Sequence, residues 1–139
     1  MEKRFFCIFV MVFLLISQNT IIASAITQDS SDGEPKSAYY TSAYANLSIS
    51  TSGTATSKGI VVGKPNITTK ITIHLYLQKY SGGKWSTYKD WSGEKKGYTY
   101  TFSKSSSVGH GKYRTKAVCK AYSGAAYETV TKYSGAVSY

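Results

Sequence analysis

The chain is short of what a disulfide-held or catalytic protein needs. Of its two cysteines, Cys7 lies inside an N-terminal apolar run, which leaves Cys119 alone in the remainder. A secreted fold stapled by disulfides needs cysteines in even number, so stability must come from a hydrophobic core. Cys119 falls in line with core-facing positions and reads as a buried thiol, packing as a small hydrophobe. The histidines are His74 and His110, and the acids number seven. No HExxH, CxxC, GxSxG or phosphate-loop pattern occurs, and the acids are too few for a calcium cage. A Ser-His-Asp arrangement would have to bring His74 or His110 to Asp90 from a distance. The expectation is therefore a protein without catalytic residues, metal or cofactor. Helical periodicity is missing as well beyond the first 25 residues, which points away from bundles and α/β folds.

What is present begins with an address. Glu2-Lys3-Arg4 precede the uncharged run Phe5 to Ile16, and Ala23-Ser24-Ala25 forms a small-x-small cleavage site. This pattern predicts a signal peptide over residues 1–25. The run is too short to span a membrane comfortably, so the expectation is a secreted, extracellular product, with cell-wall association as one form of it. Residues 26–37 carry Asp29, Asp32 and Glu34 without apolar periodicity and read as a disordered acidic lead. Residues 38–139 read as one domain. From Lys36 onward fifteen Lys and Arg face only Asp90, Glu94 and Glu128, a surplus of twelve positive charges. That balance favours polyanionic partners.

The domain's organising stretch is Asn66 to Trp91. Ile67, Thr69, Ile71, Ile73, Leu75 and Leu77 alternate with Thr68, Lys70, Thr72, His74, Tyr76 and Gln78, the signature of a strand with one face on a core. Ser81-Gly82-Gly83 turns the chain into a second β-rich run. Before it, Ala43, Ala45, Leu47 and Ile49 mark a first strand, and Thr54 to Val62 a second, with Gly59 as a candidate bulge. After it, Ser92 to Gly97 reads as a loop, Tyr98, Tyr100 and Phe102 as a fifth strand, and Ser103 to His110 as another loop. A sixth strand from Gly111 puts Tyr113, Thr115, Ala117, Cys119 and Ala121 on one side. Lys112, Arg114, Lys116, Val118 and Lys120 lie on the other as a basic stripe. Ala125 to Tyr133 supplies a seventh strand, with a short tail from Gly135 to Tyr139. About seven short strands separated by turns predict an all-β antiparallel sandwich.

The run from Gly111 to Gly124, GKYRTKAVCKAYSG, resembles the sixth strand and following hairpin of fibronectin type III and other immunoglobulin-like modules. With the long third strand and its Gly-Gly hairpin, the resemblance covers about Tyr39 to Val137. It implies an immunoglobulin-like sandwich with a core-facing Tyr113. The whole chain also looks like the small exported β-sandwich proteins of Gram-positive bacteria. It lacks the paired cysteines that bridge the sheets of antibody domains.

Two features carry the functional expectation. The stripe Lys112, Arg114, Lys116 and Lys120 supplies charge at alternate positions of one strand, suited to an anionic cell-wall polymer or polysaccharide, or to an anionic membrane surface. Trp85 and Trp91, six apart, share a face whose identity depends on the hairpin. A two-residue loop pairs Tyr80 with Trp85 and His74 with Trp91, so that Tyr76, Tyr80, Trp85 and Trp91 form an aromatic surface. A three-residue loop puts both tryptophans over the core. The expected function is a secreted, non-catalytic basic protein that associates with anionic cell-surface polymers. The alternatives are a membrane-active or antimicrobial protein and a carbohydrate-binding module. Nucleic acid suits the chemistry, but export argues against it.

Overall fold

Alternating residues place their side chains on opposite sides of a pleated strand, and here they generate eight strands in two antiparallel sheets. The computed structural model describes residues 36–139; the expected signal peptide and most of the expected acidic lead lie outside the described residues. In chain order the strands are β1 (Tyr40–Ile49), β2 (Thr54–Gly63), β3 (Lys70–Ser81), β4 (Lys84–Lys96), β5 (Thr99–Ser107), β6 (Lys112–Ser123), β7 (Ala126–Tyr133) and β8 (Val137–Ser138). One sheet has the order β1-β2-β5. The other runs β4-β3-β6-β7, with β8 pairing on β6.

The two sheets enclose a core built from one face of each strand. Ile71, Ile73, Leu75 and Leu77 of β3 and Tyr113, Ala117 and Cys119 of β6 are fully buried, and Ala43, Leu47, Ala55 and Val61 meet them from the other sheet. Burial pushes the Cys119 thiol up to about 11, the behaviour of an inert packed thiol. Tyr113 donates its hydroxyl to the Gly109 carbonyl at 2.9 Å, the contact that immunoglobulin-type sandwiches call a tyrosine corner. Two residues along stands Thr115. Its hydroxyl donates to Ser57 Oγ on β2 at 2.8 Å, with both residues fully buried. A hydrogen bond thus joins the two sheets inside the core.

Several boundaries differ from the sequence expectation. β3 starts at Lys70 rather than Asn66, because Asn66 takes φ 64° and the Thr68 amide closes a turn on the Lys64 carbonyl at 2.9 Å. Ile67 is consequently exposed. Ser92 to Lys96 and Ser103 to Ser107 are strand rather than loop, since their ladders continue through Lys70↔Lys96 and Thr54↔Ser107. Ladder hydrogen bonds use only backbone groups, so polar side chains at a sheet margin do not interrupt them. Gly59 is no bulge: it stands in unbroken register between Ala45 and Phe102. A Cβ there would lie 2.8 Å from Ile73 Cγ2, so glycine lets the sheets approach.

The hairpin resolves in a way that neither simple register anticipates. Gly82 and Gly83 take φ of 57° and 78°, a two-residue loop with both centres in the region glycine favours, and Tyr80 pairs with Trp85. The register then slips between Gln78↔Thr87 and Leu77↔Lys89, which leaves Tyr88 as the extra residue of a bulge. Beyond it every β4 side chain has changed sides. Trp91 pairs with Leu75 and packs on the core, whereas Trp85 stays on the outer face.

Candidate functional site

Because β3 and β6 bury their odd-numbered residues, their even-numbered ones share the outer face of the larger sheet. The pairings assemble it in rows: Trp85, Tyr80 and Lys112; Thr87, Gln78 and Arg114; Asp90, Tyr76, Lys116 and Tyr133. His74 and Val118 follow, then Thr72 and Lys120, and finally Lys70, Tyr122 and Tyr127. The stripe Lys112, Arg114, Lys116 and Lys120 and three of the four expected aromatics, Tyr76, Tyr80 and Trp85, therefore occupy one surface. The fourth, Trp91, is a correction. The bulge at Tyr88 turns it inward, and no surface carrying both tryptophans exists.

The basic and aromatic groups on this face are interleaved. Lys112 Nζ lies 5.7 Å from the Tyr80 ring centre, Lys116 Nζ 5.4 Å from Tyr76, Lys120 Nζ 4.7 Å from Tyr127 and Lys70 Nζ 4.6 Å from Tyr122. Arg114 is held from three sides. Its guanidinium carbon lies 4.3 Å from the Trp85 ring centre and 4.4 Å from that of Tyr133, and its Nε donates to Gln78 Oε1 at 2.8 Å. Such ring contacts are worth roughly 0.5–1 kcal/mol each at exposed sites. Among the described residues, the ion pairs found are Lys70 with Glu94 at 3.5 Å and His74 with Asp90 at 2.8 Å. None of Lys112, Arg114, Lys116 and Lys120 has a carboxylate partner. The rings orient the cations and leave their charge available.

His74 lies where the charged row is interrupted by Val118. Its Nε2 donates to Asp90 Oδ2 at 2.8 Å, and in that tautomer Nδ1 accepts from the Tyr76 hydroxyl at 3.2 Å. The pairing of His74 with Asp90 considered from sequence does form. Both ring nitrogens are then engaged, and neither reaches a serine hydroxyl. His110 stacks on Tyr139 with ring centres 4.8 Å apart. Beside His74, a shallow concavity of about 520 Å³ is lined by Thr72, Ser92, Glu94, Val118, Lys120 and Tyr122, among others.

The opposite face of the molecule is chemically plain. Ser42, Asn46 and Ser48 of β1, Thr56 and Lys58 of β2 and Thr101, Ser103 and Ser105 of β5 make a mostly hydroxyl surface, broken by the exposed ring of Tyr44 and by Ile60 and Val62. The strands of this sheet carry Lys58 and Lys104 as their only cations, so most of the strand charge lies on the larger sheet.

Gln78, Tyr122, Tyr127 and Tyr133 belong to the site and escape a strand-by-strand reading. The signal for the three tyrosines was the β6–β7 turn, whose two-residue Gly124-Ala125 loop puts Tyr122 opposite Tyr127 and Lys116 opposite Tyr133, while Gln78 is placed by its pairing with Arg114 across β3 and β6. Away from this face, Glu128 ties down the start of the domain. It accepts from the Ser37 hydroxyl and from the amides of Ala38 at 2.9 Å and Tyr39 at 3.1 Å. The Ser37 hydroxyl foremost, then the Ala38 amide, lowers its carboxyl below the usual glutamate value. Compared with protein-family models, with curated proteins and with solved structures, the chain matches none.

Proposed function

We propose that this is a secreted, non-catalytic β-sandwich protein that binds anionic cell-surface polymers on the outer face of its β4-β3-β6-β7 sheet. The observation that carries the reading is the set of four cations on β6, each held over an aromatic ring and none neutralised by a carboxylate. A free lysine or arginine surrenders rotamer entropy when it grips an anion. A ring that restricts the side chain beforehand lowers that cost. The inward turn of Trp91 removes one of the two tryptophans from this face, which weighs against the carbohydrate-module alternative built on the tryptophan pair. The N-terminal signal pattern and the likeness to exported Gram-positive proteins make a cell-wall polymer the fitting target.

The test replaces Lys112, Arg114, Lys116 and Lys120 by glutamine and measures retention on isolated cell-wall polymer. Four released counterions give a slope of log affinity against log salt of about −3, taking −0.7 per contact as for a single-stranded polyanion. The variant should lose that slope and most of the affinity, whereas Lys58→Gln on the other face should leave both unchanged. Binding that is indifferent to salt, or that survives in the fourfold variant, rejects the proposal. Dye-loaded anionic vesicles should stay intact; leakage would support a membrane-active role instead.

A further inference from the structure

We infer that the β6 row reads the spacing of its ligand, and that this ligand is a linear phosphodiester with a three-carbon polyol between phosphates. The inference rests on the proposed binding face and adds the chemical class of the polymer. Lys112, Arg114 and Lys116 occupy consecutive outward positions of one strand, and alternate residues of a strand are about 6.8 Å apart. A peptide advances about 1.2 Å per backbone bond when extended, since three bonds span 3.3–3.6 Å. Between the phosphorus atoms of a three-carbon polyol phosphate lie six bonds, P–O, O–C, two C–C, C–O and O–P. The same advance per bond gives its phosphates a spacing of about 7 Å. A chain lying along β6 meets one cation per phosphate over three successive repeats.

Arg114 is the anchor of that register. Its position is set by Trp85, Tyr133 and Gln78, and a planar fork held in place suits a phosphate's paired oxygens better than a mobile ammonium does. Lys112 and Lys116 flank it by one repeat each. The next outward position is Val118, beside the concavity that includes Glu94, so the fourth repeat passes without a cation before Lys120 takes the fifth. Single-stranded nucleic acid also has six bonds between phosphates. The N-terminal signal pattern points to an extracellular polymer rather than nucleic acid, and a thymidylate probe separates the two.

The deciding experiment compares four probes of equal phosphate or carboxylate number by calorimetry: an oligo(glycerol phosphate) with four phosphates, linear tetraphosphate, a tetragalacturonate and a thymidylate oligomer. The glycerol phosphate oligomer should bind about tenfold more tightly than each of the others. Lys112→Gln combined with Val118→Lys keeps the net charge and turns the row into four consecutive cations. It should tighten that oligomer about threefold or more through one extra in-register contact. Circular dichroism and the unfolding midpoint establish that the variant is folded. Equal affinity for tetraphosphate or galacturonate, or no gain in the charge-moved variant, overturns the spacing inference and leaves polyanion binding standing. Tighter binding of the thymidylate oligomer overturns it in favour of nucleic acid. Failure of all four probes overturns both the inference and the function on which it rests.

Discussion

Replacing Ser57 by alanine tests how far one buried hydrogen bond holds the two sheets together. The Thr115 hydroxyl donates to Ser57 Oγ at 2.8 Å with neither residue exposed, and the buried side-chain polar atoms among the described residues all have partners. Ser57→Ala strands a buried hydroxyl, which costs about 1–3 kcal/mol. Thr115→Val, nearly isosteric, strands the other partner and costs a similar amount. For a domain of this size each kcal/mol lowers Tm by roughly 4–8 °C, so either single variant should melt about 5–20 °C early. The double variant removes both polar groups together, a change that is close to neutral when shape is kept. Urea titrations of the four proteins with a common m-value give the coupling, and it should cancel most of the summed single losses. Strict additivity in the double variant would refute the reasoning, because it would mean that neither hydroxyl depends on the other.

The tryptophans should separate cleanly. Trp91→Ala opens a gap against both halves of the core and should cost about 3 kcal/mol, while Trp85→Ala should cost less than about 1 kcal/mol and instead loosen Arg114. Acrylamide should quench the fluorescence of Trp85, measured in Trp91→Phe, far more than that of Trp91, measured in Trp85→Phe. The lowered Glu128 carboxyl means that its contribution is present above the ordinary glutamate value of 4.5 and is lost as pH falls through the lower, folded-state value. The protection factors of the Ala38 and Tyr39 amides, corrected for the intrinsic base-catalysed rate, should therefore fall selectively on acidification, and Glu128→Gln should show low protection already at neutral pH. The thiol of Cys119, fully buried and raised to about 11, should resist alkylation in native buffer and react promptly in denaturant; labelling at a rate matching a free thiol would contradict its burial.

Much of the fold was legible because strand alternation is a local property. The odd positions of β3 from Ile71 to Leu77 and of β6 from Tyr113 to Ala121 are all buried as their period predicts, and the basic stripe on β6 follows from the same parity. Element margins were less legible. Polar runs such as Ser103 to Ser107 carry no apolar period, and it is the β2 ladder that makes them strand. Gly59 reads as a bulge in isolation and as a close-approach residue only once Ile73 stands opposite it.

The sequence by itself determined the class of the fold, the inward row of β6 and the surplus of positive charge, because each depends on residue type and a two-residue period. Only the tertiary structure decided which groups meet. A one-residue bulge at Tyr88 reverses the sides of everything after it on β4, sending Trp91 to the core while Trp85 remains beside Arg114. The β6–β7 pairing brings Tyr127 and Tyr133 to Lys120 and Arg114. Register is a relation between strands, and a single added residue inverts it. A surface of cations seated on rings is therefore written in the sheet, not in any one strand.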